Sequence, residues 1–217
     1  EEQLQVRLIK KDSDSQIHYT LDGSVPTTAS TRYEMPITLT KTTTVRAMTT
    51  SGGTLEQTFY IHRAKGKKYT HVQAPQSRSD EFLTKLTDGV VGRSPKSRKE
   101  WVIFGEKGME VVIDLGVVRP VTKVSLNILK AIQENGFPPL SVEIALSRDG
   151  KDFKEALAQP VRYTLEGEWQ LLPVVADFKT ARARYVRIKA ANAGSAPAPH
   201  PYAGKPTWFG VDEVLVE

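Results

Sequence analysis

Apolar and polar residues alternate with a period of two along most of this chain, a pattern that restricts it to β architectures. Leu4, Val6 and Leu8 alternate with Gln5 and Arg7, as the two faces of a half-buried strand do. Ile17-His18-Tyr19-Thr20-Leu21 runs into Asp22-Gly23, a strong turn dipeptide. A threonine-rich run over 38–50 is closed by Ser51-Gly52-Gly53, and 55–61 reads as a further strand. β-Branched residues are dense here and good helix formers scarce, so residues 1–63 read as one small all-β unit. Further strands are predicted at 109–115, 121–128, 141–147, 153–157, 169–175, 184–190 and 211–216, with Arg148-Asp149-Gly150-Lys151 as a hairpin turn. Such a series over roughly 135 residues predicts an antiparallel sandwich. No βαβ alternation occurs, which excludes a nucleotide-binding α/β fold, and only 81–86 reads as a helical turn.

Charge separates these two regions. Residues 1–63 carry 7 basic and 7 acidic side chains, whereas 64–80 carry Lys65, Lys67, Lys68 and Arg78 against Asp80 alone. The stretch 64–80 is polar and aperiodic and reads as a linker, parts of which pack through Tyr69 and Val72. A second basic group, Lys85, Arg93, Lys96, Arg98 and Lys99, lies in one loop region. The net charge of +5 is therefore local, and the two stretches contain Tyr69 alone of Phe, Tyr and Trp, with Trp101 just beyond, too few aromatics for a nucleic-acid stacking platform. No apolar run approaches the ~20 residues of a spanning helix, so membrane insertion is not expected. The absence of cysteine removes disulfides, thiolate metal sites and cysteine nucleophiles. A chain that opens on Glu1 is expected to be a processed product or part of something larger.

Catalytic patterns are also missing. Glycoside hydrolysis needs two carboxyl groups about 5–10 Å apart. Asp212-Glu213 is the tempting pair, but neighbours on a regular strand point to opposite faces. Asp12/Asp14 and Asp152/Glu155 fall in turn contexts. His18, His62, His71 and His200 are scattered, with no Gly-x-Ser-x-Gly or His-Glu-x-x-His.

Two resemblances follow from particular motifs. Residues 17–27, Thr31-Arg32-Tyr33, Pro36-Ile37-Thr38-Leu39 and Thr43-Thr44-Val45-Arg46-Ala47 resemble the small C-terminal β-domain of chitobiase/β-hexosaminidases. Leu86-Thr87-Asp88-Gly89, Ile113-Asp114-Leu115-Gly116, the 147–153 hairpin, Ala183-Arg184-Tyr185-Val186-Arg187-Ile188 and Val211-Asp212-Glu213-Val214 resemble the discoidin-like (coagulation factor 5/8 type C) domain. In this order, and with Glu100-Trp101-Val102-Ile103-Phe104-Gly105 and 200–208, the chain is similar to the C-terminal tail of bacterial exo-β-N-acetylhexosaminidases. The expected fold is all-β: a small immunoglobulin-like β-sandwich over 1–63, a linker over 64–80, and a galactose-binding-like jelly-roll β-sandwich over 81–217.

The resemblance implies a parent glycoside hydrolase that removes terminal N-acetylhexosamine. Its catalytic barrel of roughly 250 residues would lie upstream of this non-catalytic region. It implies a periplasmic, outer-membrane-associated or secreted bacterial setting, with the upstream catalytic domain and glycans ending in N-acetylhexosamine or galactose as partners. No cofactor is required by this reading. A structural calcium ion is implied by the match of Asp88 and Glu213 to an early loop and a late acid, oxygen ligands such as hard cations prefer. Here Gly89 is followed by Val90-Val91-Gly92-Arg93, where that family usually continues with a second acid and a threonine. Weak glycan binding is expected from loops 93–101, 130–139 and 192–208, whose Trp101, Lys130, Gln133, Asn135, Asn192, His200, Tyr202 and Trp208 combine aromatic faces with planar polar groups. Trp101 and Trp208 abut apolar strands, a position that favours core packing over sugar contact. The alternative is a purely structural pair of domains that packs on the barrel or mediates oligomerisation.

Overall fold

The computed structural model describes residues 3–11, 14–73, 84–92 and 100–217. The chain forms two compact units, 1–62 and 63–217.

The first unit is a small sandwich. Strands β1 (Leu4–Val6) and β4 (Ile37–Leu39) pair antiparallel. A four-stranded sheet runs in the order β3 (Thr31–Arg32), β2 (Ile17–Thr20), β5 (Thr43–Thr49), β6 (Thr54–Phe59). Val6, Ile37, Leu39 and Val45 form its core, joined by the half-buried Tyr19, Tyr33 and Phe59. Alternation explains the choice: Thr43, Val45 and Ala47 are the buried positions of β5, and the residues between them are more exposed. The Asp22-Gly23 turn closes on itself. Gly23 takes φ 84°, and the Asp22 carboxylate accepts the N–H and hydroxyl of Ser24, which hold it below the usual carboxylate range.

The second unit is built on two long bent strands, β9 (Met109–Lys130) and β12 (Gln170–Ala191). The sequence reading divided each into two strands, but the ladder between them continues through irregularities near 177–185. Residues 109–114 of β9 pair with β12 at 185–190 and, on the other side, with β7 (Tyr69–Gln73). That layer continues through β10 (Ser141–Ser147) to β11 (Lys154–Pro160). Residues 123–130 of β9 pair instead with β12 at 170–177 and with β13 (Phe209–Val216), whose far side carries β8 (Val102–Phe104). Both long strands thus pass from one layer to the other, giving a jelly-roll sandwich. The bend is pinned: Gly116 adopts φ 88°, and Asp114 accepts its N–H while taking two bonds of 2.7 Å from the Arg184 guanidinium. Alternate residues Val111, Ile113, Leu115 and then Val124, Leu126, Ile128 face a core shared with Val142, Ile144, Val186, Ile188, Val211 and Val214.

Part of the stretch expected as linker belongs to this sandwich. Tyr69–Gln73 is a strand, Ala64 and Tyr69 are buried in the core, and the Tyr69 hydroxyl accepts the Leu86 N–H. Basic flanks conceal a strand only five residues long; its inward tyrosine supplies the burial, whereas Val72 is exposed. Residues 74–80 lie outside the described residues. Of the helical turn expected at 81–86, the described part is a 3-10 turn at Lys85–Thr87.

Candidate functional site

Four connections meet at one end of the second sandwich. Register places the ends of β8, β9, β11 and β12 beside the starts of β9, β10, β12 and β13, so 105–108, 131–140, 161–169 and 192–208 cap the same edge. Six of the eight residues expected to contact sugar lie on the 131–140 and 192–208 connections, but most of them hold the cap together.

Lys130, the last residue of β9, is 2% exposed. Its ammonium donates to the Glu166 carbonyl at 2.7 Å and the Thr164 hydroxyl at 3.4 Å, fastening 161–169 to the sandwich. A 3-10 turn, Ile132–Glu134, ends at Asn135 in the left-handed conformation, φ 66°, which asparagine tolerates better than most residues. The Asn135 amide donates to Pro206 O at 2.8 Å; its Oδ1 is buried without a partner among the described residues. Trp208 is half-buried, lies over Gly136 and donates its indole N–H to Glu134 O at 3.0 Å. Asn192 is spent on Thr207 and Gly194. His200 donates from Nε2 to Ile132 O at 2.9 Å and accepts the Tyr202 N–H at Nδ1, an arrangement that assigns the proton to Nε2.

Trp101 is core. It is 1% exposed, packs with Leu129 and Ala131, and presses on Gly92, where a Cβ would lie 2.3 Å from the ring. It offers no face to a ligand, because its ring fills space that two glycines, Gly92 and Gly210, leave open. The rest of its predicted loop, 93–99, lies outside the described residues.

Gln133 and Tyr202 remain exposed. The 161–169 connection of the same cap displays apolar groups that sequence reasoning missed: Leu165, 57% exposed, and Trp169, 44% exposed. Trp169 was read as the first residue of a strand that begins one position later, at Gln170; its neighbours Glu166-Gly167-Glu168 were the available signal of a loop. A cavity of about 190 Å³ opens here between Ile132, Phe137, Leu165, the 197–199 segment and His200. The Phe137 ring meets the His200 edge at 5.2 Å, and Tyr202 lies 5.7 Å from the same imidazole.

The acids Asp88, Asp212 and Glu213 form a separate cluster. A register shift between Val211 and Val214 breaks the strict alternation of β13, so Asp212 and Glu213 are both buried and both serve the 88–92 loop. This corrects the expectation from a regular strand. Asp212 accepts Gly92 N–H at 3.0 Å, both Asn127 donors and the Glu213 N–H. Glu213 accepts Gly89 N–H at 3.0 Å; burial, with the adjacent Asp88 carboxylate, pushes it up to about 9. A calcium ion would need several free oxygens at one point. Asp88 instead carries the Lys85 ammonium at 2.6 Å on one oxygen and the Val90 N–H on the other. Among the described residues no three carboxylate or imidazole groups are placed to hold a metal. These side chains do not fit a calcium ion, and the positive charge beside Asp88 is Lys85's.

The class these features define is a tandem of all-β sandwich domains, the second carrying a loop platform at one end. Residues 1–60, nearly the whole of the first unit, match the family model of the chitobiase/beta-hexosaminidase C-terminal domain. No curated protein matches the sequence. Solved structures similar to the chain include chitosan-binding module 1 of a chitosanase/glucanase from Paenibacillus sp. IK-5, at 17% identity and TM-score 0.44, covering 73% of this chain and 99% of that one. A fucose binding module of Streptococcus pneumoniae aligns at 19% identity and TM-score 0.48, covering 72% and 94%. CpGH89CBM32-4 of Clostridium perfringens, solved with GlcNAc-α-1,4-galactose, aligns at 11% identity and TM-score 0.46, covering 72% and 94%.

Proposed function

We propose that this chain is a non-catalytic accessory region of a bacterial β-N-acetylhexosaminidase whose second unit binds glycan ends weakly through its loop platform. One observation carries the glycan reading: Tyr202, Trp169 and Leu165 stand exposed on a cap whose polar residues are tied down from beneath. Exposed aromatic and apolar side chains, on a cap that also exposes the Gln133 amide, are what the apolar face and the hydroxyls of a sugar require. Preorganisation lowers the entropy lost on binding, and a small contact area keeps affinity low. The match of the first unit supports a parent that hydrolyses terminal N-acetylhexosamine, acting through an upstream catalytic domain on glycans met in the periplasm, at the outer membrane or outside the cell.

Titration of the chain with oligosaccharides ending in N-acetylglucosamine or galactose, followed by protein NMR, tests the reading. Saturable shifts confined to 131–140, 161–169 and 192–208 are expected. Tyr202→Ala should weaken binding about tenfold with an unchanged melting temperature. No shift at tens of millimolar ligand would remove the glycan reading.

A further inference from the structure

We propose that the small cavity of the loop platform receives a methyl group carried by the bound sugar, so that the platform selects acetamido or 6-deoxy sugars over fully hydroxylated hexoses. This rests on the glycan reading above. The cavity, about 190 Å³, is smaller than the roughly 300 Å³ at which pockets begin to hold whole small ligands. A substituent of a sugar fits within it while the ring rests against the exposed Tyr202, which lies beside His200.

Its lining decides which substituent. Ile132, Phe137, Leu165 and the 197–199 segment present carbon, and Ile132 and Phe137 are themselves buried. His200 has its Nε2–H on Ile132 O and its Nδ1 on the Tyr202 N–H, so neither ring nitrogen is left for a ligand. A hydroxyl set against this mostly apolar wall exchanges water bonds for few in return, whereas a methyl group loses nothing and removes apolar wall from water. An acetamido methyl and a 6-deoxy methyl share this chemistry and differ in where the ring must sit.

Two matched pairs separate these sources: methyl β-N-acetylglucosaminide against methyl β-glucoside, and methyl α-L-fucoside against methyl α-L-galactoside. Each is titrated into the full chain and followed by protein NMR. The methyl-bearing member of at least one pair should bind about tenfold tighter, and the pair that discriminates names the substituent. Leu165→Ser, at an exposed rim position, should cut that ratio several-fold while the melting temperature holds. Ala198→Leu, which adds bulk to the lining, should lower it as well. Equal affinity within both pairs would overturn the methyl pocket and leave the glycan reading standing. Absence of binding by all four at tens of millimolar would overturn both.

Discussion

A buried carboxylate is kept in this fold only where donors surround it, and Asp212 is the clearest case. Burial raises its proton affinity, while Gly92, Asn127 and Glu213 supply donors that pull it back. Asp212→Ala would strand the Gly92 and Asn127 donors in the interior, and we expect a loss of about 3 kcal/mol or more in chemical denaturation. Lys130 presents the opposite balance. Its ammonium is buried against a carbonyl and a hydroxyl, so Lys130→Met removes bonds and a desolvation cost together. Global stability should change by less than about 1 kcal/mol, but hydrogen exchange across 164–168 should quicken as the loop comes free. Residue types alone could mark Lys130, Asn135, Asn192 and His200 as polar groups in loops. They could not tell whether those groups face a ligand or a neighbouring carbonyl, because the partners (Glu166, Pro206, Thr207 and Ile132) are set by how separate connections meet.

Among the elements, the strands with clear alternation were legible and their continuity was not. The pattern of 109–115 and 121–128 signals two strands because the alternation lapses over 116–120, yet hydrogen bonding across the bend makes one strand of them. Strand β7 was hidden by its basic flanks and short length. The bend and the loop cap depend on glycines whose role is local. Gly108 sits at φ 70°, and a Cβ there would lie 2.4 Å from Ala190 O, a backbone atom that cannot step aside. Gly108→Ala should cost about 2 kcal/mol or more, read as a lower denaturation midpoint with the loop platform disturbed. The 88–92 loop gives a prediction of another kind. Because Lys85 holds Asp88, neither millimolar calcium nor a chelator should move the melting temperature, and a rise of several degrees with calcium would show that the loop rearranges to admit the ion.

For the second unit as a whole, a half-buried histidine and a buried glutamate, shifted to different sides of neutrality, set a stability window. His71 of β7 lies between Tyr69 at 5.0 Å and Phe104 at 6.3 Å, its ring nitrogens buried without partners among the described residues. Burial holds it below its ordinary 6.5, so the folded state resists a proton that the unfolded chain accepts. Its contribution is complete above about 6.5 and is lost as the pH falls below that value. Glu213 behaves inversely. Pushed up from 4.5 to about 9, it keeps its proton in the folded state after the unfolded chain has released it. Its contribution is complete below about 4.5 and is lost progressively as the pH rises toward 9. Between these values the two slopes oppose each other up to about 6.5, and above that only Glu213 acts. Melting temperatures recorded from about pH 5 to 9 should therefore decline steadily on the alkaline side. Glu213→Gln keeps an uncharged, hydrogen-bonding side chain beside Asp88 and should flatten that decline. His71→Phe, which extends the Tyr69–Phe104 aromatic contact without a titrating nitrogen, should leave the alkaline slope intact and raise stability at the acid end. An alkaline slope that survives Glu213→Gln would assign it to another group and show that the Asp88–Glu213 pair holds no proton in the folded protein.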